Sequence, residues 1–263
     1  MKNWPGYVLV FWLLAVFFAH AFDLAPNRIG LDHILQPPGA LAWLGHDDLG
    51  RNILSRILAG AQVSVTVALV VTAITLSFGV TVGLVAGYFG GWVDRVLMHV
   101  TDVFLAFPGI LLAIAFAAVL GPGLNNLVLA LCLTSWVGYA RLTRAQALSL
   151  RGRQHVQAAE SLGATTPRIM LRHMLPLLAA PLVVEATYSI AGLVIAEASL
   201  SFLGLGIQAP QASWGSMLRD GVRYMLVAPH YVLAVGLSLM SLVLAVNVLG
   251  DTLRDKLDVK NVN

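Results

Sequence analysis

A handful of polar side chains fall inside long apolar stretches of this chain: Asp102, Arg141, Glu185, Glu197 and Asn247. An ionised group at the centre of a membrane helix costs at least about 2.5–3.5 kcal/mol, so each must face other helices or a wet path. Asp102 and Glu197 lie near the ends of their apolar runs and read as structural. Glu185 lies deeper, and its carboxylate would help a cationic group, such as a peptide amine or a metal complex, along a path through the membrane. The competing reading has Glu185 protonated or bonded to a neighbouring helix. Taken together, Asp102, Glu185 and Glu197 would also serve a proton relay, which is the mark of a secondary transporter working alone. Arg141 and Arg144 read as anchors that snorkel toward the membrane surface rather than as ligands.

Other chemistries find less support in the residue pattern. His20, His33, His46 and His230 are isolated, without an H-x-x-H or mixed His/Cys cluster, so no metal site is expected. No persuasive pairing of nucleophile and base stands out, which argues against an intramembrane enzyme. Between Lys2 and Lys256 there is no lysine, so a G-x-x-x-x-G-K-[ST] phosphate loop has no place in the chain. If nucleotide energy drives this protein, another chain supplies it. Cys132 is the only cysteine, which rules out an intrachain disulfide and points to a buried, inert thiol.

The elements that must position these residues are helices in a bilayer. Hydrophobic residues make up 58% of the 263 positions and charged residues 11%, where a soluble domain carries about a quarter. A bilayer core about 30 Å thick takes roughly 20 apolar residues of helix to cross. Six runs meet that requirement: Pro5 to Phe22, Gln62 to Tyr88, Leu97 to Leu120, Leu124 to Leu148, Met174 to Ala196 and Pro229 to Leu249. They are continuous, whereas the strands of a membrane barrel alternate in polarity over about ten residues. The expected fold is all-α, a polytopic membrane bundle of six transmembrane helices. Pro108 and Pro181 interrupt two of the runs and mark kinks that either line a pathway or serve packing.

Orientation follows from the cations. With the N-terminus inside, Lys2, Arg95, Arg141, Arg144, Arg151, Arg153, Arg168, Arg172, Arg254, Lys256 and Lys260 face the cytoplasm, leaving Arg28, Arg51, Arg56, Arg219 and Arg223 outside. That excess inside places both termini in the cytoplasm. The net charge of +3 comes largely from these anchors and gives no reason to expect a nucleic acid partner. A competing reading of the first run is a secretory signal, with Lys2, an apolar core and an A-x-A site at Ala19-His20-Ala21.

One stretch breaks the apolar pattern: Gln154 to Pro176, QHVQAAESLGATTPRIMLRHMLP. His155 to Leu162 favours helix, Gly163 suits a left-handed helix end, Thr166 is placed to cap a second helix and Pro167 fits its first turn. A helix, a glycine turn and a helix are therefore expected between two membrane spans. The small side chains of Ala158 and Ala159 would admit a partner's backbone, and Arg168 and Arg172 would reach lipid headgroups or partner carboxylates. Spacing alone fits equally a basic linker lying on the membrane.

This stretch resembles the EAA loop of ATP-binding-cassette importer permeases, whose pattern is E-A-A, three residues, G, nine residues, I-x-L-P. Gln157-Ala158-Ala159 stand at the first three positions, Gly163 at the glycine and Leu175-Pro176 at the end, with Gln157 in place of the usual glutamate and His173 in place of the isoleucine. Further segments are similar to the dipeptide, oligopeptide and nickel permeases, C-type subunit: Gly45-His46-Asp47-Asp48-Leu49-Gly50-Arg51-Asn52, Ala86 to Asp94, Ala106-Phe107-Pro108, Glu197 to Gly206 and Leu249 to Asp255. The resemblance implies a non-catalytic subunit in the bacterial inner membrane. It also implies as partners a B-type permease, two ATPases that bind ATP and Mg, an extracytoplasmic substrate-binding protein and membrane lipids. This chain would itself hold no cofactor. Gln157, Ala158, Ala159, Gly163, Arg168 and Arg172 would form the contact with an ATPase, and Glu185, Pro108 and Glu197 are candidates for the translocation pathway.

By this reading residues 1–61 comprise the first transmembrane helix and an outer segment with an amphipathic run from Leu49 to Leu58 along the surface. Residues 62–252 form the core permease domain, with the coupling loop 154–176, and 253–263 form a cytoplasmic tail. The outer stretch Ser199 to Pro229 holds Phe202, Trp214, Met217 and Leu218, costly to leave in water, and is expected either to fold back between helices or to dock the binding protein.

Overall fold

The computed structural model describes residues 4–21, 25–40 and 42–259. Ten α-helices are found among them: α1 (Trp4–Ala21), α2 (Ile53–Phe89), α3 (Gly91–Leu105), α4 (Gly109–Leu120), α5 (Leu124–Arg151), α6 (Gln154–Ser161), α7 (Thr166–Arg168), α8 (Leu175–Phe202), α9 (Trp214–Val222) and α10 (Pro229–Val259). Extended pairing among the described residues is confined to two isolated bridges, Gly39 with Ala42 and His46 with Asn52.

Among the described residues each apolar run is largely helical, but the runs are not equivalent. By length and composition α2, the stretch Thr166–Phe202 and Pro229–Leu257 each suffice to cross a bilayer, and α3 with α4 reaches that measure only as a pair bent by 83°, a broken span or a re-entrant turn. The run expected from Leu97 to Leu120 is therefore two helices. Pro108 supplies no N–H and disfavours helical backbone at Phe107, which stops α3 there. The run expected from Pro5 to Phe22 is described as helix over α1, Trp4–Ala21. Although long enough, α5 is more polar than the other three.

The chain divides into two compact units: Met1–Val70 with Ile114–Leu131 and Ile190–Leu249, and Val71–Ala113 with Cys132–Ser189 and Gly250–Asn263. All five cations expected outside belong to the first unit. Those expected inside, apart from Lys2, belong to the second.

In the first unit the outer segment is held by one carboxylate. Asp47, fully buried, accepts from the backbone N–H of Arg51 at 2.8 Å and from its Nε at 2.6 Å, and Arg56 Nε lies 3.3 Å away. Arg56 also donates to the Pro26 carbonyl and Asn27 Oδ1, both at 3.4 Å. The amphipathic run from Leu49 to Leu58 divides between a turn and the first residues of α2. Asp47 organises a turn through Gly50, Asn52 Oδ1 accepts from Ser55 N–H at 3.1 Å, and α2 starts directly at Ile53. Trp214 at the start of α9 is also fully buried, donating to the Ile57 carbonyl at 3.0 Å and meeting the Trp12 ring edge-on at 5.1 Å. A capping box between Ser213 and Ser216 starts that helix. Ser199 to Pro229 is thus folded, with Trp214 and Met217 as its core.

In the second unit α2 and α5 approach so closely that only glycine fits. A Cβ on Gly79, Gly83 or Gly87 would lie 2.4–2.6 Å from Trp136, Ala140 or Ala147 of α5. This i, i+4, i+8 row of small residues is a membrane helix seam. Tyr188 Oη donates to Asp251 Oδ1 at 2.6 Å, fastening α8 to α10 within this unit.

Candidate functional site

The polar stretch folds as its sequence pattern requires. After α6 the chain turns at Gly163, φ 80°, with Gly163 N–H bonded to the Glu160 carbonyl and Ala164 N–H to that of Ala159. This pair of bonds is the Schellman ending, and a side chain at the left-handed position would strain it. The second helix differs in detail. Thr165, not Thr166, holds the N-cap position of α7, Pro167 follows within its first turn, and the chain continues through a π turn, Ile169–Met174, into α8. Pro176 explains the widened turn: lacking an N–H, it leaves an upstream carbonyl without its usual donor.

The two faces of α6 are unlike. Val156 and Ala159 are buried in a core with Leu84, Ala147, Leu150, Ile169, Met174 and Leu178. Gln157, Ala158, Gly163, Arg168 and Arg172 are exposed. The alanine pair is thus split: Ala158 faces away from its own chain, and Ala159 packs beneath the helix. Leu162, which composition does not single out, is 87% exposed at the turn.

Helix α5 leads into this element, and here the snorkelling expectation for Arg144 fails. Arg144 makes a bidentate pair with Asp94 in the first turn of α3, through Nε to Oδ1 and through Nη2 to Oδ2 at 2.6 Å. A partly buried guanidinium gains more from a forked carboxylate than from reaching for water. Arg141 remains exposed, and Arg151 stacks over the Tyr88 ring at 5.9 Å.

Each carboxylate has its own surroundings within its unit. Glu197, fully buried in the first unit, accepts from Ser64 Oγ at 2.6 Å and Ser201 Oγ at 2.7 Å. Ser201 Oγ in turn accepts from Ile207 N–H at 3.2 Å, so Glu197 fastens the start of the loop after α8. Ser64, its partner from α2, lies 133 positions away in sequence and carries no local sign of the role. Glu185 belongs to the second unit and is half-buried, with Oε1 beside Gly138. Asp102 and Pro108 are exposed, the latter at the α3–α4 break. Among the histidines, His33 and His46 stack with ring centroids 5.1 Å apart. Burial and the neighbouring His33 push the His46 imidazole below its ordinary value, with Asp47 opposing. The side chain of His20 lies outside the described residues.

Residues 79–259 match the family described as the binding-protein-dependent transport system inner membrane component, and the chain belongs to it. It is 41% identical over 250 residues to the dipeptide transport system permease protein DppC of Alkalihalophilus pseudofirmus, covering 95% of this chain and 82% of that protein. It is 43% identical over 236 residues to the glutathione transport system permease protein GsiD of Pectobacterium atrosepticum, covering 90% and 78%. Among solved structures it is similar to an inward-facing form of the MetNI methionine ABC transporter, with TM-score 0.61 and 21% identity, over 77% of this chain and 96% of that one, a likeness of fold. The chain is accordingly a multi-pass permease subunit of an ATP-driven importer in the bacterial inner membrane, non-catalytic, with its ATPase on a separate chain.

Proposed function

We propose that this subunit carries peptides, and that α6 with its glycine turn is the coupling element gripped by the ATPase. The dipeptide and glutathione permeases it resembles support the cargo class. The observation that carries the coupling reading is the two-faced α6, anchored below by Val156 and Ala159 and open above at Gln157, Ala158 and Leu162. A helix so anchored passes on a push instead of yielding to it. Gly163 fixes the turn, Arg168 and Arg172 reach partner carboxylates or lipid headgroups, and Ala159 acts from beneath as support. Closure of two ATPases on ATP and Mg would move α6 and its core together. A few kcal/mol of differential binding shifts such a two-state equilibrium.

The assembly we infer pairs this chain with a B-type permease, two ATPases and an extracytoplasmic binding protein, with six spans and both termini in the cytoplasm. The division of cations between the two units supports that topology. Within the pathway we assign Glu185 to the passage of a peptide's amine, with the Pro108 break shaping the route, and Glu197 to holding the outer loop. Cysteine crosslinking tests the coupling reading. Ala158→Cys should crosslink to the ATPase and Ala159→Cys should not, while Gly163→Val should insert normally yet uncouple uptake from ATP hydrolysis. Equal crosslinking at both positions, or unchanged uptake by Gly163→Val, would refute it.

A further inference from the structure

Within this chain helix α3 buries little of its surface for a helix of 15 residues. Thr101 is its one buried residue, and Trp92, Val96, Val100, Val103 and Leu105 are all more than two-fifths exposed. At its last turn Phe104 meets the Trp136 ring edge-on at 5.5 Å. At its first turn the side-chain tie is the Asp94–Arg144 pair. Arg144 is rooted in the best-packed part of the second unit: one residue earlier, Thr143 lies against Gly83, and three residues later, Ala147 lies against Gly87 and in the core that holds α6. Asp102, two turns along α3, adds a second carboxylate within electrostatic reach of the same guanidinium.

We infer that the Asp94–Arg144 pair is a strut that makes α3 travel with the coupling helix, so that movement of α6 reaches the α3–α4 break at Pro108. This inference rests on the coupling role assigned to α6. Forked geometry is what such a strut needs, because two parallel bonds fix the angle between the helices as well as their separation. A lone point contact would let α3 swivel. With 34% and 15% of the two side chains exposed, the pair is sheltered enough to hold and open enough to be exchanged by mutation without burying an orphan charge. Asp94 and Arg144 act on transport only by position, touching neither cargo nor nucleotide.

The test uses the complete complex purified through this chain, in a Cys132→Ala background, with spin labels at Val96→Cys on α3 and Gln154→Cys on α6. Both positions are exposed. With the native pair, the interspin distance distribution should superimpose in the nucleotide-free and the ATP–vanadate-trapped states. In Asp94→Asn it should shift or broaden on trapping, and the exchange Asp94→Arg with Arg144→Asp should restore the native distribution. If Asp94→Asn superimposes on the native protein in both states, or if the exchanged pair fails to restore it at normal membrane levels, the strut is overturned. A native distribution that itself changes on trapping overturns it too. Absence of ATPase from the purified native complex would instead refute the coupling role of α6, a result distinct from any of these.

Discussion

The two units of this protein hold their charges in contrasting ways. In the first, Asp47 is fully buried and answers to Arg51, Arg56 and two backbone N–H groups. In the second, Asp94 and Arg144 form one partly exposed pair. The buried cluster is bound from several sides and cannot be rearranged cheaply, as suits a segment that must stay fixed. The second pair joins a helix that buries little surface within this chain to one held closely against α2, the arrangement that the proposed strut requires. A similar contrast separates Glu197, enclosed by hydroxyls, from half-buried Glu185.

The sharpest way to break this comparison is at Asp47. Asp47→Asn removes the carboxylate shared by two buried guanidinium groups, leaving Arg51 only Asp48 at 3.4 Å, and removing one partner of a buried pair costs about 3–5 kcal/mol. Loss of protein from the membrane, measured by immunoblot and by protease sensitivity, is expected. Gly83→Leu should follow closely, since its Cβ would lie 2.4 Å from the Ala140 carbonyl and force α2 from α5. The check is a lower melting temperature in detergent. Glu197→Ala strands the hydroxyls of Ser64 and Ser201, worth about 1–3 kcal/mol if they stay unpaired, and Glu197→Gln should recover most of that. Proteolysis within the loop 203–213 reports it.

Glu185→Ala should leave thermal stability nearly unchanged and slow the uptake of peptides with a free amine more than that of N-acetylated ones. Equal slowing of both would reduce Glu185 to a packing role. The smallest effect concerns pH. Because the folded state lowers the His46 imidazole from its ordinary 6.5, the unfolded chain binds the proton more readily. Stability from this group is complete above that value and declines as pH falls below it. His46→Gln should flatten the slope of melting temperature with pH on the acid side of 6.5 and leave the alkaline side alone.

Much of this molecule was legible in the residues, and the exceptions are instructive. The apolar runs announce helices because crossing lipid demands length and continuity, both local properties. Gly163 was legible for the same kind of reason, since a left-handed ending belongs to one residue and its neighbours. The Pro108 break was visible as a proline, but its 83° bend was not. Nor did spacing distinguish Ala158 from Ala159: adjacent residues on a short helix point in different directions, and only the position of the core beneath says which one is free. Arg144 was misread because its partner lies 50 positions away and is attractive only once α3 and α5 are side by side.

Sequence by itself therefore determined the solvent, the helices and the polar stretch with its glycine turn. Each of these follows from composition or from bonds between near neighbours. Only tertiary structure decided which face of α6 is open, that Arg144 ties α3 to α5, and that Ser64 shelters Glu197, because a side chain's partner across a fold is set by packing and not by its place in the chain.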